Sequence, residues 1–183
     1  MRRVIETQRL LLKALDESYA PRAAEYLKRN KEFLEEWEPR RDETFYTEEY
    51  QRGELAREQA EMDEGRMLKL WVFKKGEDNI IGSLTFGSIV RGAFLSCFLG
   101  YRLDKDELNK GYMTEAIRAG IGVMFGEYGL HRIEANIMPK NKRSLRVAEK
   151  LGFSNEGYAR KYLKINGVWE DHIHMVLINE DMD

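Results

Sequence analysis

One short segment of the chain combines a loop with a helix start: Asn109-Lys110-Gly111-Tyr112-Met113-Thr114-Glu115-Ala116. A strand-like run ends at Leu103, shortly before this segment, and an apolar helical pattern begins inside it. The first turn of a helix presents backbone N–H groups without intrahelical partners and a partial positive charge. Because glycine has no side chain, Gly111 would let an anion approach these groups closely. The segment therefore predicts either an anion site or an ordinary turn before a helix.

The helix end alone would bind an anion weakly. Its dipole contributes only about 0.3–1 kcal/mol, so directed N–H bonds and the Lys110 ammonium would have to supply most of the affinity. The loop also matches neither the glycine pattern of dinucleotide-binding proteins nor a phosphate loop that ends in Gly-Lys-Ser/Thr. Residues 109–116 by themselves thus leave both interpretations open.

The helix after the loop is predicted from one apolar stripe with three- and four-residue spacing. Its members are Met113, Ala116, Ile117, Gly120, Ile121, Met124 and Phe125. This spacing places all seven residues on one helix face. The small residues Ala116 and Gly120 would allow that face to pack closely on a sheet.

The remaining elements are predicted from periodicity, capping residues and turn signals. Strands are expected over residues 10–14, 68–74, 80–89, 93–103, 131–138, 158–165 and 168–178. Helices are expected from Asp16 to about 29, from Asn30 to about 36, from Thr47 to about 64 and from Asn141 to Gly152. Asn166-Gly167 is a strong hairpin signal between the last two strands. This order predicts a mixed α/β (α+β) fold with helices on the faces of the sheet.

Composition predicts one globular domain over residues 1–183. The chain is 43% hydrophobic and 34% charged, and no apolar run approaches the roughly 20 residues of a membrane span. Cys97 is the single cysteine, which excludes a disulfide framework and a cysteine metal site, and we expect no bound metal. We therefore expect a cytoplasmic protein, a monomer or homodimer, with no membrane or nucleic-acid partner.

Charge is distributed unevenly along the chain, although the formal net charge is only −2. Residues 31–64 contain thirteen acidic and five basic side chains, whereas residues 139–164 contain eight basic and two acidic ones. Two solvated faces of opposite sign would explain this pattern. An anionic ligand at one end of the protein and a cationic ligand at the other would explain it equally.

Several further motifs occur in a fixed order around the loop. They are Glu6-Thr7-Gln8-Arg9-Leu10-Leu11-Leu12, Ile81-Gly82, Gly100-Tyr101-Arg102-Leu103, Asn141-Lys142-Arg143-Ser144, Ala148-Glu149-Lys150-Leu151-Gly152-Phe153, Glu156-Gly157 and Gly167-Val168-Trp169-Glu170-Asp171. Together with residues 109–116, this series resembles the GNAT superfamily of N-acetyltransferases. Within it, the series is similar to the ribosomal-protein-alanine N-acetyltransferase branch.

The resemblance implies a mostly antiparallel, twisted sheet of about six to seven strands, with helices on both faces and a splayed central strand pair. Acetyl-coenzyme A would lie in the resulting V-shaped opening. The resemblance assigns cofactor contacts to Tyr101, Arg102, Leu103, Asn109, Lys110, Gly111, Tyr112, Met113, Thr114, Asn141 and Ser144. Leu108 and Met113 depart from the general superfamily pattern, so phosphate contacts there would come from the backbone.

Candidates for the chemical step follow partly from the resemblance. Ala148 stands where many superfamily members carry a tyrosine acid, and the branch points instead to Ser144, which could also be simply a first-turn residue of a helix capped by Asn141. Glu134 is the carboxylate of the strand over residues 131–138 and a candidate base, unless its face is only a solvated edge. His172 and His174 share a strand face, and we assign them to the surface or to packing.

The acceptor is predicted to be an amine. Phe33, Leu34 and Trp37 could form its wall, unless they only pack a helix on the sheet. Asp171 is a further contact candidate and a second candidate base, unless its role is structural. Presenting a neutral lysine near pH 7 costs about 3.5 kcal/mol more than presenting a neutral α-amine. The resemblance and this difference favour a protein N-terminal α-amine that attacks acetyl-coenzyme A directly in a ternary complex. A small amine such as a polyamine, amino acid or aminoglycoside, or a non-catalytic acyl-coenzyme A sensor, are the alternatives.

Overall fold

The computed structural model describes residues 3–182, and its centre is one sheet of eight strands. The strands are β1 (Val4–Glu6), β2 (Leu10–Lys13), β3 (Leu68–Lys74), β4 (Ile80–Val90), β5 (Ser96–Leu103), β6 (Arg132–Ile137), β7 (Ser154–Ile165) and β8 (Val168–Ile178). The helices are α1 (Ala20–Arg29), α2 (Lys31–Glu35), α3 (Glu48–Asp63), α4 (Tyr112–Gly126) and α5 (Lys142–Lys150). None of the helices within residues 3–182 is long and apolar enough to cross a bilayer.

The sheet has the order β1-β2-β3-β4-β5-β6-β8-β7, and every pair except β5–β6 is antiparallel. The parallel pair is short. Its register joins Ser96 to Arg132, Cys97 to Ile133 and Phe98 to Glu134. Beyond Phe98 and Glu134 the two strands continue without pairing to each other, so the sheet opens at its centre. The predicted splayed pair is confirmed.

The two faces of the sheet carry separate apolar cores. One core joins α4 and α5 to the sheet through side chains such as Leu84 and Phe86. The close packing expected of Gly120 is present, because a Cβ there would lie 2.5 Å from Cε2 of Phe86. The other core packs α1 and α3 on Trp71 and Phe73, which point to the opposite face of β3.

The predicted helices and strands are present, with four differences. The helix expected from Asp16 begins at Ala20, after a short 3-10 turn that Asp16 caps. The sheet has eight strands rather than six to seven. The additional strand, β1, was not predicted because its three residues are too few to show a pattern. β5 begins at Ser96 rather than at residue 93, after a turn in which Leu95 has a φ of 41°. β7 begins at Ser154, four residues earlier than expected. The Asn166-Gly167 hairpin turn is confirmed by φ angles of 43° and 82°.

Candidate active site

A cleft of about 680 Å³ occupies the opening between β5 and β6. Its lining comes from both faces of the sheet. The α4 half is lined by the loop before α4, by α5 and by the Tyr101 side of β5. The α2 half is lined by Phe33, Trp37 and Glu38 and by side chains of the opposite strand face, including Lys69, Arg102 and His172. Because the sheet is split here, two molecules could meet through it.

The loop of the α4 half has two residues, on either side of Lys110, in the left-handed region. Asn109 has a φ of 61° and Gly111 a φ of 79°. Gly111 is the N-cap of α4, and no side chain caps the helix there. The N–H groups of the first turn are therefore available to a ligand in the cleft. Gly111, Tyr112, Met113, Thr114 and Asn109 all line the cleft.

The N-terminal segment holds this loop in place. The Arg9 guanidinium donates to the Lys110 carbonyl oxygen at 2.9 Å and to Glu115 Oε2 at 2.7 Å. Glu115 Oε1 also accepts from the Thr7 hydroxyl and from the Arg9 backbone N–H. Burial acts to raise the pKa of Glu115, but these hydrogen bonds and the nearby guanidinium lower it overall. The carboxylate therefore stays charged and anchors the start of α4 to the segment at Thr7 and Arg9.

Positive charge at the α4 half comes from α5 rather than from Lys110. The Lys110 ammonium donates to the Asp106 carbonyl oxygen at 2.8 Å and to Glu107 at 2.9 Å, and this side chain is absent from the cleft lining. The basic side chains that do line the cleft from α5 are Lys142, Arg143, Arg146 and Lys150.

Tyr101 of β5 and Ser144 of α5 contact each other across the opening. The Tyr101 hydroxyl lies 2.7 Å from Ser144 Oγ and donates to the Ser144 carbonyl oxygen at 3.0 Å. Burial raises the pKa of Tyr101 to about 12 although the hydrogen bond to Ser144 lowers it, so the phenol stays protonated. Asn141 caps α5 by accepting from the Ser144 N–H at 3.1 Å. Ser144 is thus both a first-turn residue and a cleft residue.

The α2 half is lined by aromatic and charged side chains. Glu38 and Arg102 form an ion pair at 2.8 Å, and each side chain is less than one-fifth exposed. The guanidinium of Arg143 lies 5.8 Å from the Phe33 ring centroid, which connects α5 with α2 across the cleft mouth. Arg102 therefore belongs to the half opposite the loop, where its charge is balanced by Glu38.

Two carboxylates suggested by the sequence lie outside the cleft lining. Glu134 is in the last paired position of β6, opposite Phe98, and is held by Arg132 at 3.2 Å and by His174 Nδ1 at 3.0 Å. Asp171 accepts from the Tyr158 hydroxyl at 2.5 Å and from the Lys161 N–H at 2.7 Å. Both groups are engaged in local structure, and neither lines the cleft.

Lys69, Glu38 and His172 are among the cleft residues for which no site role was predicted from the sequence. Lys69 is only 7% exposed, and burial lowers its pKa to about 8 despite the attraction of Glu58. The sequence signal that could have identified Lys69 is its position as a charged residue within the otherwise apolar run from Leu68 to Phe73. Glu38 follows α2 without any pattern that marks it. His172, expected at the surface or in packing, is buried and lines the cleft. Within residues 3–182 no three His, Cys, Asp or Glu side chains come together in a way that could hold a metal.

Comparisons with known proteins agree with this geometry. Residues 9–154 match the family model described as an acetyltransferase (GNAT) domain. The [ribosomal protein uS5]-alanine N-acetyltransferase of Escherichia coli is 38% identical over 177 residues, which cover 97% of this chain and 91% of that protein.

Two solved structures also superpose closely. The ribosomal-protein-S5-alanine acetyltransferase of Vibrio fischeri has a TM-score of 0.94 at 36% identity and covers 99% of both chains. RimJ of Mycobacterium smegmatis, in complex with coenzyme A disulfide, has a TM-score of 0.91 at 28% identity and covers 98% of this chain and 88% of that one. The chain belongs to the GNAT family of acetyl-coenzyme A-dependent N-acetyltransferases.

Proposed function

We propose that this protein transfers acetyl from acetyl-coenzyme A to the N-terminal α-amine of a protein, with a ribosomal protein that begins with alanine as the best candidate. The observation that carries this proposal is the cleft that opens on both faces of the split sheet. The two substrates could approach from opposite faces and react directly, without a covalent enzyme intermediate. The activities named for the Escherichia coli and Vibrio fischeri proteins support the acceptor. Such an acceptor places the enzyme in the cytoplasm, where we infer that residues 1–183 act as one domain.

The residues of the α4 half fit coenzyme A. The uncapped first turn of α4 offers N–H donors for a diphosphate, and the basic side chains of α5 offer further charge. Beyond Phe98, the edge of β5 that faces the opening has no strand partner within residues 3–182, so its backbone could bond the amides of the pantetheine arm. The bound cosubstrate supplies an acetyl thioester. We assign its binding to Tyr101, Leu103, Asn141 and residues 109, 111–114.

Ser144 is the best candidate for the proton donor to the leaving sulfur. Its hydroxyl is in the cleft and is already hydrogen-bonded to the Tyr101 phenol at 2.7 Å. With Asn141 holding the backbone and Tyr101 holding the side chain, Ser144 keeps one orientation without a substrate. We propose that Ser144 delivers the proton and that Tyr101 is its positioning residue.

The α2 half favours an α-amine over a lysine. Its carboxylate, Glu38, is neutralised by Arg102, and Glu134 and Asp171 are engaged elsewhere. The site therefore has no free carboxylate among the described residues that line the cleft, and an amine of low pKa is the easier substrate. Phe33 and Trp37 supply apolar contact for a short side chain at the first acceptor position.

A peptide panel tests the proposal. Thiol release from acetyl-coenzyme A and product mass would be measured with a peptide that begins with alanine, the same peptide blocked at its N-terminus, and spermidine. We expect turnover with the free peptide and none with the blocked one. Turnover with spermidine alone would overturn the protein acceptor. Tight binding of acetyl-coenzyme A without turnover of any amine would overturn catalysis altogether.

A further inference from the structure

An acceptor α-amine must lose a proton before it can attack, so the α2 half needs a proton acceptor. The carboxylates expected for this task are engaged in contacts outside the cleft, and Glu38 is paired with Arg102 at 2.8 Å. His172 remains as a titratable group that lines the cleft and has not been given a role.

The strand register places His172 on the correct face. In β6, Ile133, Ala135 and Ile137 pack in the core with α4 and α5, so Asn136 points to the α2 side. Asn136 pairs with His174 of β8, and His172 lies two residues before His174 on the same strand face. His172 is therefore beside the part of β6 that has separated from β5, together with the cleft residue Asn136.

The hydrogen bonding of His172 fixes its tautomer. Its Nδ1 lies 3.0 Å from the Glu170 carbonyl oxygen. A carbonyl oxygen can only accept a hydrogen bond, so Nδ1 carries the hydrogen and Nε2 of the neutral ring carries the lone pair. The ring is held by this bond and by Tyr162, whose centroid is 5.5 Å away.

We propose that His172 is the general base of the reaction and receives, through Nε2, the proton of the acceptor ammonium directly or through one water molecule. This inference rests on the proposed transfer to an amine. Nε2 takes one proton from the ammonium and later releases it to solvent. The neutral nitrogen of the acceptor amine then forms a bond to the acetyl carbon while the carbon–sulfur bond breaks. The leaving sulfur gains the hydroxyl proton of Ser144. The amine nitrogen then loses its second proton, which restores the Ser144 hydroxyl.

The surroundings keep the ring neutral near pH 7. Desolvation lowers the pKa of His172, whereas the Glu170 carbonyl and the charges of Glu170 and Asp171 raise it, and a charged His174 would lower it. The other charged or titratable groups on this side are Tyr162 of β7, which contacts the His172 ring, and the cleft residues Lys69, Arg41, Glu38 and Arg102. A neutral imidazole is the form that can accept a proton.

The test uses His172→Asn in the full-length enzyme, measured with the amine that the wild type acetylates. Asparagine can keep a donor near the Glu170 carbonyl but has no basic nitrogen. We expect kcat/KM for the amine to fall about 100-fold at pH 7. The deficit should shrink as the pH rises past about 8, because a growing fraction of an α-amine then arrives neutral. A loss below threefold, or the same loss at every pH, would overturn the role of His172.

Controls separate this inference from the proposed function. His174→Asn changes the neighbouring ring, which is absent from the cleft lining, and should stay within threefold of wild type. The dissociation constant of acetyl-coenzyme A and the melting temperature should be unchanged in His172→Asn, which shows that the cleft is intact. If the wild type acetylates only another amine, the acceptor proposal fails, and His172 is still tested on that amine, where the deficit should shrink as the pH passes the pKa of that amine.

Discussion

The α4 half of the cleft is lined chiefly by one continuous loop and by α5, whereas the α2 half takes side chains from β3, β4, β5, β6, β8 and the segment after α2. The first half offers backbone N–H groups around Gly111, whose positions follow from local geometry. The second half depends on charged and polar side chains such as Lys69 and Arg102, which are brought together only by the sheet. A backbone site suits a cosubstrate that never changes, and a side-chain site can be adapted to a new acceptor.

The two halves also differ in what they do to stability. The loop is held by the ion pair of Arg9 with Glu115 at 2.7 Å, which anchors the first turn of α4 to the N-terminal segment. In the α2 half, by contrast, a lysine is buried at 7% exposure with its nearest carboxylate, Glu58, 3.9 Å away. Burial of a charge without a close partner is unfavourable. The comparison predicts that substitutions in the α2 half can stabilise the protein, whereas substitutions in the loop cannot.

Lys69→Met gives the largest expected effect. The pKa of Lys69 is lowered by desolvation to about 8, so the folded state binds fewer protons than the unfolded state between about pH 8 and 10.5. The destabilisation of the fold by the buried ammonium charge is therefore fully present below pH 8 and is absent above pH 10.5. We expect Met to stabilise the fold by up to about 3 kcal/mol at pH 7 and to flatten the rise of stability with pH.

Urea unfolding across this pH range measures the effect. Lys74→Met is the matched control on the same strand, because the Lys74 ammonium pairs with Glu107 at 2.9 Å and Glu77 at 3.1 Å. We expect this control to be neutral or to lower stability by less than about 1 kcal/mol. If both variants changed stability in the same direction, the contrast between the two halves would be lost.

Gly111→Val tests the loop of the α4 half. A β-branched residue is strained at a φ of 79°, and its Cβ would approach Arg9 Nη2 at 3.4 Å. The first turn of α4 should move, and acetyl-coenzyme A should bind about 100-fold more weakly, a loss of about 2.7 kcal/mol. Calorimetry measures the dissociation constant. Gly122→Ala, in the same helix with open space at its Cβ, should leave the dissociation constant unchanged. Equal affinity in both variants would show that the loop does not bind acetyl-coenzyme A.

The α4 half was predictable because its signals are local. The glycine, the apolar stripe of α4 and the cap Asn141 each act within a few residues, and the structure confirms the elements that they predict. The splayed strand pair follows from the resemblance rather than from any strand pattern. The missed strand β1 shows the limit of this reasoning, since three residues carry too little periodicity to be recognised.

The α2 half was less predictable because it depends on register. Strand alternation puts Glu134 and Asn136 on one face, but only the pairing of Phe98 with Glu134 shows that the cleft begins after Glu134. Likewise, the spacing of His172 and His174 does not reveal which ring reaches the opening. That depends on how β8 pairs with β6, and this contact joins segments some forty residues apart.

Ser144→Ala examines the contact between Tyr101 and Ser144 in the α4 half. Removal of the hydroxyl leaves the Tyr101 phenol without its 2.7 Å partner and removes the proposed proton donor. We expect kcat to fall about 30-fold, below the full range of acid catalysis because water can also supply a proton. The affinity for acetyl-coenzyme A should change less than threefold. Ser154→Ala, at the exposed start of β7, is the matched control, and equal kcat in the two variants would reduce Ser144 to a helix residue.

Glu38→Gln gives the smallest expected effect and tests whether the α2 half receives a cation. Gln keeps the size of the side chain but removes the negative charge that lies 2.8 Å from the Arg102 guanidinium, so the positive charge of Arg102 is no longer neutralised. An approaching ammonium would meet a net positive surface, so KM for the amine should rise about fivefold, or about 1 kcal/mol, with kcat and cofactor affinity unchanged. Added salt should reduce the difference, since screening weakens the repulsion. Glu43→Gln, at an exposed carboxylate that pairs with Lys31 outside the cleft, should not change KM. If it raised KM equally, the acidic surface as a whole would attract the acceptor, and the α2 half would owe its specificity to shape rather than to charge.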